Sequence, residues 1–301
     1  MKKRIEKRNR QTLLSVYEED LRSLESRIGK DRSASTWKAM LQGKTYVEKC
    51  LKEHFNMEDI AMKELTPQFI HDFSVYLSVE RGLRGGTVWL ACQQLKGVVT
   101  RAYQRGVLTW NPFAGFRLAK NIRPREYLTE GELKLLMDHE FEDKALTFTR
   151  DVFVFSAFTG LAFIELKELK YENIVDINGS KWIVSQRHKT NIPFQVKLLE
   201  VPYQVIIRYQ HQGEYVFEQM EYATMAKRIH RVMEEVGIRK RISFHCARHT
   251  FAVLALNKGM PIESLSRLLG HTNITTTQIY AKITMHKLEE DMNRLAEKLN
   301  I

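Results

Sequence analysis

Two stretches near the C-terminus decide how this chain is interpreted: SFHCARHTF at residues 243–251 and LLGHTNITTTQIY at residues 268–280. They place four reactive side chains in order along the sequence: His245, Arg248, His271 and Tyr280. Arginine binds phosphate through a planar fork of donors, histidine transfers protons near neutral pH, and tyrosine is a nucleophile when its surroundings activate it. Together these groups suit the attack of a phenol on a phosphodiester.

Composition bounds the class of protein. The chain has 301 residues and a formal net charge of +11, with a sequence pI of about 9.5. A chain this basic most often has an anionic partner, usually nucleic acid, although composition alone also fits a basic protein without a polymer ligand. Hydrophobic residues make up 44% of the chain, so a core can form, and the length suggests two domains.

Cysteine usage and hydropathy indicate the compartment. Three cysteines without a CxxC pair favour neither a disulfide framework nor a zinc site, and they fit a reduced, intracellular setting. No secretory apolar segment follows the basic N-terminus, MKKRIEKRNR. The most apolar stretch, DVFVFSAFTGLAFIEL, is too short and mixed to span a bilayer and reads as a buried helix. We therefore expect a cytoplasmic, nucleoid-associated protein.

Residues 1–118 are predicted to form a unit of four helices. The first two are amphipathic, TLLSVYEEDLRSLESRI and STWKAMLQGKTYVEKCLKEHF. Thr66-Pro67 is a typical N-cap and first-turn pair for the third helix, which a Gly-rich turn at residues 81–86 stops. The fourth is predicted to start at Thr87 and to end at Asn111-Pro112.

Basic residues recur on or beside these helices, and they are candidates for binding DNA: Lys44, Arg84, Lys96, Arg101 and Arg105. Arg84 stands before two glycines at the start of a helix, where a phosphate binds readily. Each of these residues taken singly also fits an ordinary solvated helix face. As a set they favour an interface with a DNA groove.

The second half of the chain is predicted to combine helices with a small β-sheet. Residues 119–127 read as a polar linker, and residues 128–301 form the second domain, opened by a capping box of Thr129 and Glu132. Asn178-Gly179 predicts a hairpin turn, and NIPFQVKL reads as a return strand. The last helix carries one apolar stripe: Leu288, Met292, Leu295 and Leu299.

The series H-x-x-R, then LGH, then a downstream tyrosine resembles the tyrosine recombinases, also called the phage integrase family. The resemblance covers nearly the whole chain, including an A-x-x-x-G ending with N-P-F from Ala102 to Phe113 that is similar to the SAM-like core-binding domain. It implies a mainly α fold with a small sheet: a SAM-like helical domain followed by an α+β integrase-type catalytic domain. It also implies a site-specific DNA recombinase that cleaves and rejoins DNA through a 3′-phosphotyrosyl intermediate.

The resemblance also implies a role for each residue of the motif. Tyr280 would attack the scissile phosphate, and Arg248 would neutralise the charge that develops on it. His245 would act as general acid and base, and His271 would donate a hydrogen bond to the phosphate. Lys189, in the hairpin sequence RHKT, would protonate the leaving 5′ oxygen. The bond energy is stored covalently, so no ATP, metal or other cofactor is expected.

One position departs from the family pattern. The usual motif T-G-x-R-x-x-E-L reads TGLAFIEL here, so Ala162 stands where a phosphate-binding arginine is expected. Losing such a contact costs several kcal/mol of transition-state stabilisation. Arg187 lies two residues before Lys189, on the same side of a strand, and Arg150 lies three helical turns before Ala162; we favour Arg187 as the replacement. An alanine here resembles a branch of integrases from Bacteroides-type mobile elements.

Glu165 falls on the acidic position of the same motif, where the family uses the residue to orient its neighbours. The alternative is an ordinary glutamate on a helix surface. No set of residues resembles a metal cage, because the histidines lack carboxylate or thiolate companions at ligand spacing.

Several alternatives remain open at the level of sequence. The resemblance implies a homotetramer on two double-stranded DNA sites, made by exchange of C-terminal segments, with accessory DNA-bending proteins; the terminal stripe could instead pack on its own domain. Ala162 also motivates a non-catalytic regulatory DNA-binding protein, and a type IB topoisomerase shares the chemistry. Only a basic stretch of about ten residues precedes the first helix, so we expect no arm-type domain. This favours a simple recombinase or invertase, although integration, excision and inversion use one active site.

Overall fold

The structure is a computed structural model in which five ranges are described: residues 11–118, 126–188, 192–217, 220–280 and 285–299, the last without the side chains of 285–288, 290 and 291. The chain divides into two compact units, Met1–Arg123 and Pro124–Ile301. The basic N-terminus and Lys189 lie outside the described residues. The limits of the linker stay a prediction, because residues 119–125 also lie outside them.

The first unit is helical. Its long elements are α1 (Leu13–Glu25), α2 (Ala34–Glu53), α3 (Pro67–Val75), which continues into a π-helical turn at Tyr76–Glu80, and α4 (Gly85–Gln104). A 3-10 turn, Met62–Glu64, precedes α3. Their apolar faces meet in one core built around fully buried side chains such as Tyr17, Leu51, Phe73 and Leu95.

Local signals in this unit predict helix starts better than helix ends. Thr66 Oγ1 accepts a hydrogen bond from the Phe69 N–H at 3.2 Å, and Pro67 occupies the first helical position, as predicted. The predicted end of α4 at Asn111-Pro112 is wrong, because the helix stops at Gln104 and Gly106 follows in the left-handed conformation. The helix also begins two residues before Thr87, at Gly85.

The second unit is organised around one buried helix. Its helices are α5 (Glu130–Asp138), α6 (Lys144–Thr159), α7 (Phe163–Lys167), α8 (Glu200–Arg208), α9 (Tyr222–Glu235), α10 (Phe244–Asn257), α11 (Ile262–Leu268), α12 (Thr275–Gln278) and α13 (Met285–Leu299). Helices α8, α9 and α10 all pack on α6, which is therefore buried on nearly every face. The predicted capping box is present, since Thr129 N–H donates to Glu132 at 2.7 Å.

The predicted buried helix DVFVFSAFTGLAFIEL is two helices rather than one. Helix α6 ends at Thr159, Gly160 turns the chain at φ +69°, and Ala162 caps the start of α7. The break matters for the site because the Gly160 carbonyl accepts a hydrogen bond from Arg248, and the Ala162 N–H donates one to Glu165.

Three antiparallel strands form a sheet in the order β1 (Ile174–Ile177), β2 (Ser180–Gln186), β3 (Pro193–Lys197). Asn178 and Gly179 both have positive φ, which confirms the predicted hairpin turn. Gln186 pairs with Pro193, so the N–H of Arg187 just beyond donates to the Ile192 carbonyl at 2.8 Å. The strand end therefore holds the Arg187 backbone in a fixed place.

The mainly helical architecture with a small sheet, as predicted from the sequence, is confirmed. No helix in the described part of the chain is long and apolar enough to cross a membrane.

Gly160 is predicted to be essential for the break between α6 and α7. Its left-handed φ disfavours any side chain, and an added Cβ would lie 2.6 Å from Phe251 Cδ1. We expect Gly160→Ala to lower the free energy of unfolding by about 1–3 kcal/mol, measured by urea denaturation. Gly131→Ala, where a Cβ meets open space in α5, is the matched control and should be neutral or slightly stabilising. Equal losses in the two variants would contradict this account.

Candidate active site

Arg248 lies at the centre of the candidate site. Helix α10 carries it into the interior, where the residue is only 8% exposed. Its Nη1 donates to the Gly160 carbonyl at 2.9 Å, and its Nη2 donates to the Leu269 carbonyl. Burial lowers the pKa of Arg248, while Glu165 and Tyr280 act in the opposite direction, so both acidic groups lie within electrostatic reach of the guanidinium.

A single carboxylate joins two arginines. Glu165 Oε2 accepts a hydrogen bond from the Ala162 N–H at 2.8 Å and forms an ion pair with Arg187 Nη1. The same oxygen lies 3.8 Å from Arg248 Nη1. The Arg187 and Glu165 side chains are 4% and 9% exposed, so this pair is strongly shielded from water. Glu165 is therefore a buried anchor and not a helix-surface glutamate.

Contacts from several elements hold the Arg187 side chain in place. Its guanidinium carbon lies 3.8 Å from the centre of the Phe194 ring, and its Nη2 donates to the Leu268 carbonyl. Gly270 leaves room for the aliphatic stem, because a Cβ there would lie 2.6 Å from Arg187 Cγ. Burial lowers the pKa of Arg187 to about 10, Glu165 raises it and Arg248 lowers it, so the group stays charged at neutral pH. Its Nε finds no acceptor among the described residues.

Arg150, the other candidate to replace the arginine absent at Ala162, contacts the end of α5. Its Nη1 donates to backbone carbonyls at the C-terminal end of α5, at 3.2 Å for Leu136 and 2.9 Å for both Met137 and His139. Its Nε pairs with Asp151 at 2.5 Å. These contacts link Arg150 to α5 and to Asp151, whereas Glu165, the carboxylate near Arg248, pairs with Arg187.

His271 lies directly against Arg248. Its Nε2 is 3.2 Å from Arg248 Nη2, and its Nδ1 is 2.8 Å from Thr277 Oγ1. Burial, followed by the positive charges of Arg248 and Arg187, lowers the pKa of His271 to about 4. The imidazole is therefore neutral at pH 7 when no phosphate is bound.

Ring contacts link Tyr280 to His249, and His249 to His245. The Tyr280 ring centroid is 5.0 Å from that of His249, which is 4.7 Å from that of His245. His245 is exposed, whereas His249 is buried, so this row of rings runs from the surface to the half-buried phenol. The Tyr280 side chain also packs on a small cluster of Ala252, Leu265 and Leu269.

The structure thus brings together most of the residues singled out by sequence: Glu165, Arg187, Arg248, His271 and Tyr280. His245 lies at the exposed edge, linked through His249. Sequence reasoning missed His249 and Thr277. For His249 the available signal was its position one helical turn after His245. Thr277 lies in a run of three threonines, and no sequence signal distinguishes it from the other two.

The basic residues of the first unit differ in the exposure of their side chains and in their ion pairs. Lys44 is only 15% exposed and pairs with both Glu18 and Glu48; its role as a DNA contact stays a prediction. Arg101 and Arg105 share the buried Asp20 but keep nearly half of their side chains exposed. Arg84 is exposed at the start of α4 and Lys96 is half-buried; both remain predictions, as do Arg101 and Arg105.

Among the residues that the structure describes, no group of three or more histidine, cysteine, aspartate or glutamate side chains could hold an ion.

Glu165 is expected to stabilise the second unit strongly. Glu165→Gln leaves two buried guanidinium groups without a carboxylate, and breaking a buried ion pair costs about 3–5 kcal/mol. We expect a fall of about that size in the free energy of unfolding, measured in urea. Glu168→Gln is the matched control, because Glu168 is about half exposed and should contribute less than about 1 kcal/mol. A Glu165 variant as stable as the control would contradict a shared anchor.

Comparison with known families agrees with both halves of the chain. A model of the phage integrase family matches residues 126–287, and a model of the phage integrase SAM-like domain matches residues 12–122.

Individual relatives are similar over most of their length. A tyrosine recombinase of Pseudothermotoga lettingae is 26% identical over 251 residues, which cover 80% of this chain and 86% of the relative. The tyrosine recombinase XerC of Lactobacillus leichmannii is 25% identical and covers 72% and 79%. The tyrosine recombinase XerA of Pyrococcus furiosus is 30% identical over 178 residues, with 56% and 60% covered.

Solved structures share the fold. The integrase of the transposon Tn1549, in complex with transposon right end DNA, gives a TM-score of 0.77 at 19% identity over 95% of this chain and all (100%) of that one. A lambda integrase dimer bound to a COC′ core site gives 0.73 at 20% identity, with 93% and 79% covered. The SAM-like and integrase-type folds predicted from the sequence are confirmed, and the chain belongs to the phage integrase family.

Proposed function

We propose that this protein is a site-specific DNA recombinase that cleaves and rejoins DNA through a phosphotyrosyl intermediate at Tyr280. One observation carries the proposal: two buried arginines, Arg187 and Arg248, meet at one carboxylate beside His271 and Tyr280. Membership of a family whose relatives are tyrosine recombinases, enzymes that cleave and rejoin DNA, supports it.

In the proposed reaction the Tyr280 phenol oxygen attacks the scissile phosphorus and forms a 3′-phosphotyrosyl bond while the bond to the 5′ oxygen breaks. Arg248 and Arg187 neutralise the charge of the pentacovalent phosphorane. His245, at the exposed edge, serves as general acid and base. Lys189, which lies outside the described residues, protonates the leaving oxygen. Attack by a free 5′ hydroxyl reverses the step and rejoins the strand, so no external energy source enters.

Arg187 takes the role of the arginine that the family carries at the position of Ala162. The Ala162 N–H donates directly to Glu165, so an arginine side chain at that position would start beside the same carboxylate. Arg187 reaches Glu165 from the other direction, from the end of β2. In lacking the first arginine, the chain resembles the branch from Bacteroides-type mobile elements, and that placement is part of this proposal.

Covalent trapping on a nicked suicide substrate, built from the recombination site in DNA flanking the gene, tests the proposal. We expect the wild type to form a protein–DNA adduct and Tyr280→Phe to form none. Arg187→Ala should slow adduct formation by about 10²–10³-fold, as removal of a transition-state donor does. Adding Ala162→Arg to Arg187→Ala should recover part of the loss, because the new guanidinium would lie beside Glu165.

The control for this experiment is Arg231→Ala, which removes an arginine that is 64% exposed and distant in sequence from the motif. It should react at the wild-type rate. A wild type that binds the site tightly but forms no adduct would overturn the proposal and favour a non-catalytic DNA-binding protein. An adduct accompanied only by relaxation of supercoiled DNA would favour a topoisomerase.

The proposal includes assembly on DNA. The partners are double-stranded recombination sites, and a homotetramer on two sites would form by exchange of α13, with accessory DNA-bending proteins as further partners. Three residues of the predicted stripe, Met292, Leu295 and Leu299, are 47–62% exposed, so packing within the chain does not cover them. The side chain of Leu288 lies outside the described residues. An exposed apolar face of this kind fits a second copy of the chain.

Deleting residues 285–301 should weaken pairing of two DNA sites while leaving binding to one site unchanged. Native gels with one-site and two-site DNA measure both quantities. Glu297→Gln alters the same helix outside the stripe and should pair sites normally. Normal pairing by the deletion variant would refute exchange through α13.

A further inference from the structure

We propose that Thr277 is a positioning residue that fixes the protonation of the His271 ring nitrogens and ties that ring to the turn that carries Tyr280. The inference rests on the proposed function and on the role of phosphate donor that the family resemblance implies for His271. It assigns a specific task to a threonine that neither the motif nor the proposed reaction uses.

Thr277 contacts both residues at once. It is fully buried at 0% exposure, although its neighbours on α12 are exposed. Its Oγ1 lies 2.8 Å from His271 Nδ1, and its backbone carbonyl accepts the Tyr280 N–H at 3.0 Å. A displacement of Thr277 would therefore move the imidazole and the nucleophile together.

The hydrogen-bonding partners of the two ring nitrogens decide where the proton of the neutral imidazole lies. A guanidinium has only donors, so His271 Nε2, 3.2 Å from Arg248 Nη2, must present its lone pair. The single ring proton of the neutral form then lies on Nδ1 and is donated to Thr277 Oγ1. The hydroxyl of Thr277 is the acceptor that makes this form the stable one.

This arrangement gives Nε2 two functions. Without DNA it accepts from Arg248 and helps to hold that guanidinium in place. When a phosphate takes over the Arg248 donor, its negative charge favours the imidazolium, and Nε2 can take a proton from solvent and donate it to a phosphate oxygen in a hydrogen bond. Throughout, the Nδ1–H bond to Thr277 is unchanged, so the ring does not need to flip. The donor role that the family resemblance implies for His271 is thus reached by uptake of one proton.

Imidazole nitrogen NMR of the full chain without DNA tests the assignment independently of activity. Long-range ¹H–¹⁵N correlation distinguishes protonated from unprotonated ring nitrogens, and the spectrum of His271→Gln identifies the His271 signals. We expect a protonated Nδ1 and an unprotonated Nε2 in the wild type and in Thr277→Ser, which keeps the hydroxyl. Thr277→Val, of nearly equal volume, should show a fraction protonated on Nε2. Thr276→Val, at the exposed neighbouring position, is the matched control and should resemble the wild type.

Single-turnover cleavage of the nicked substrate at saturating DNA gives the functional readout. Thr277→Val should cleave about 10-fold more slowly, because a buried N–H loses its acceptor, while Thr277→Ser and Thr276→Val stay close to the wild-type rate. Thr277→Ala replaces the valine variant if thermal melting shows that the latter does not fold.

Two results would overturn the inference: a wild type protonated on Nε2, or hydroxyl-free variants that keep both the wild-type ring protonation and the wild-type rate. If the NMR result holds but the wild type cleaves no DNA, the proposed function fails while the positioning of His271 by Thr277 stands.

Discussion

The Glu165 carboxylate is the contact on which the rest of the candidate site depends. Two guanidinium groups held close together in a shielded interior repel each other and lose their hydration, so neither is stable there without a shared anion. Glu165 supplies that anion to Arg187 and Arg248, and its own position is fixed by the Ala162 N–H at the start of α7. The break after α6 therefore determines where these two positive charges lie.

Backbone carbonyls at helix ends complete the arrangement. The last carbonyls of a helix lack partners within it and carry partial negative charge, so they attract cations. Arg248 donates to the carbonyl of Gly160, which follows α6, and to that of Leu269, which follows α11; Arg187 donates to that of Leu268 at the end of α11. The two arginines thus cap helices as well as provide charge. The contacts that hold the two guanidinium groups in the site therefore also stabilise helix ends in the second unit.

Sequence predicted the features that are specified locally and left open those that depend on tertiary packing. The hairpin at Asn178-Gly179 and the capping box at Thr129 are set by neighbouring residues, and both are present. Sequence did not show that Arg150 reaches the end of α5 whereas Arg187 reaches Glu165, because both contacts depend on how distant elements pack. Sequence could not distinguish Thr277 from the two threonines beside it. The difference arises in the fold, which buries Thr277 and leaves the other two exposed.

The alanine at position 162 is compatible with an intact charge cluster because the carboxylate does not depend on a side chain there. Glu165 is oriented by a backbone N–H, which any residue except proline provides, so the anion stays in place when the arginine is absent. A guanidinium can then arrive from another element, provided that its stem has room; Gly270 leaves that room, and Phe194 supports the Arg187 guanidinium from β3. The site needs a positive charge at a given position in space, whichever element carries it. An arginine at the end of a strand can therefore supply that charge as well as one at the start of a helix.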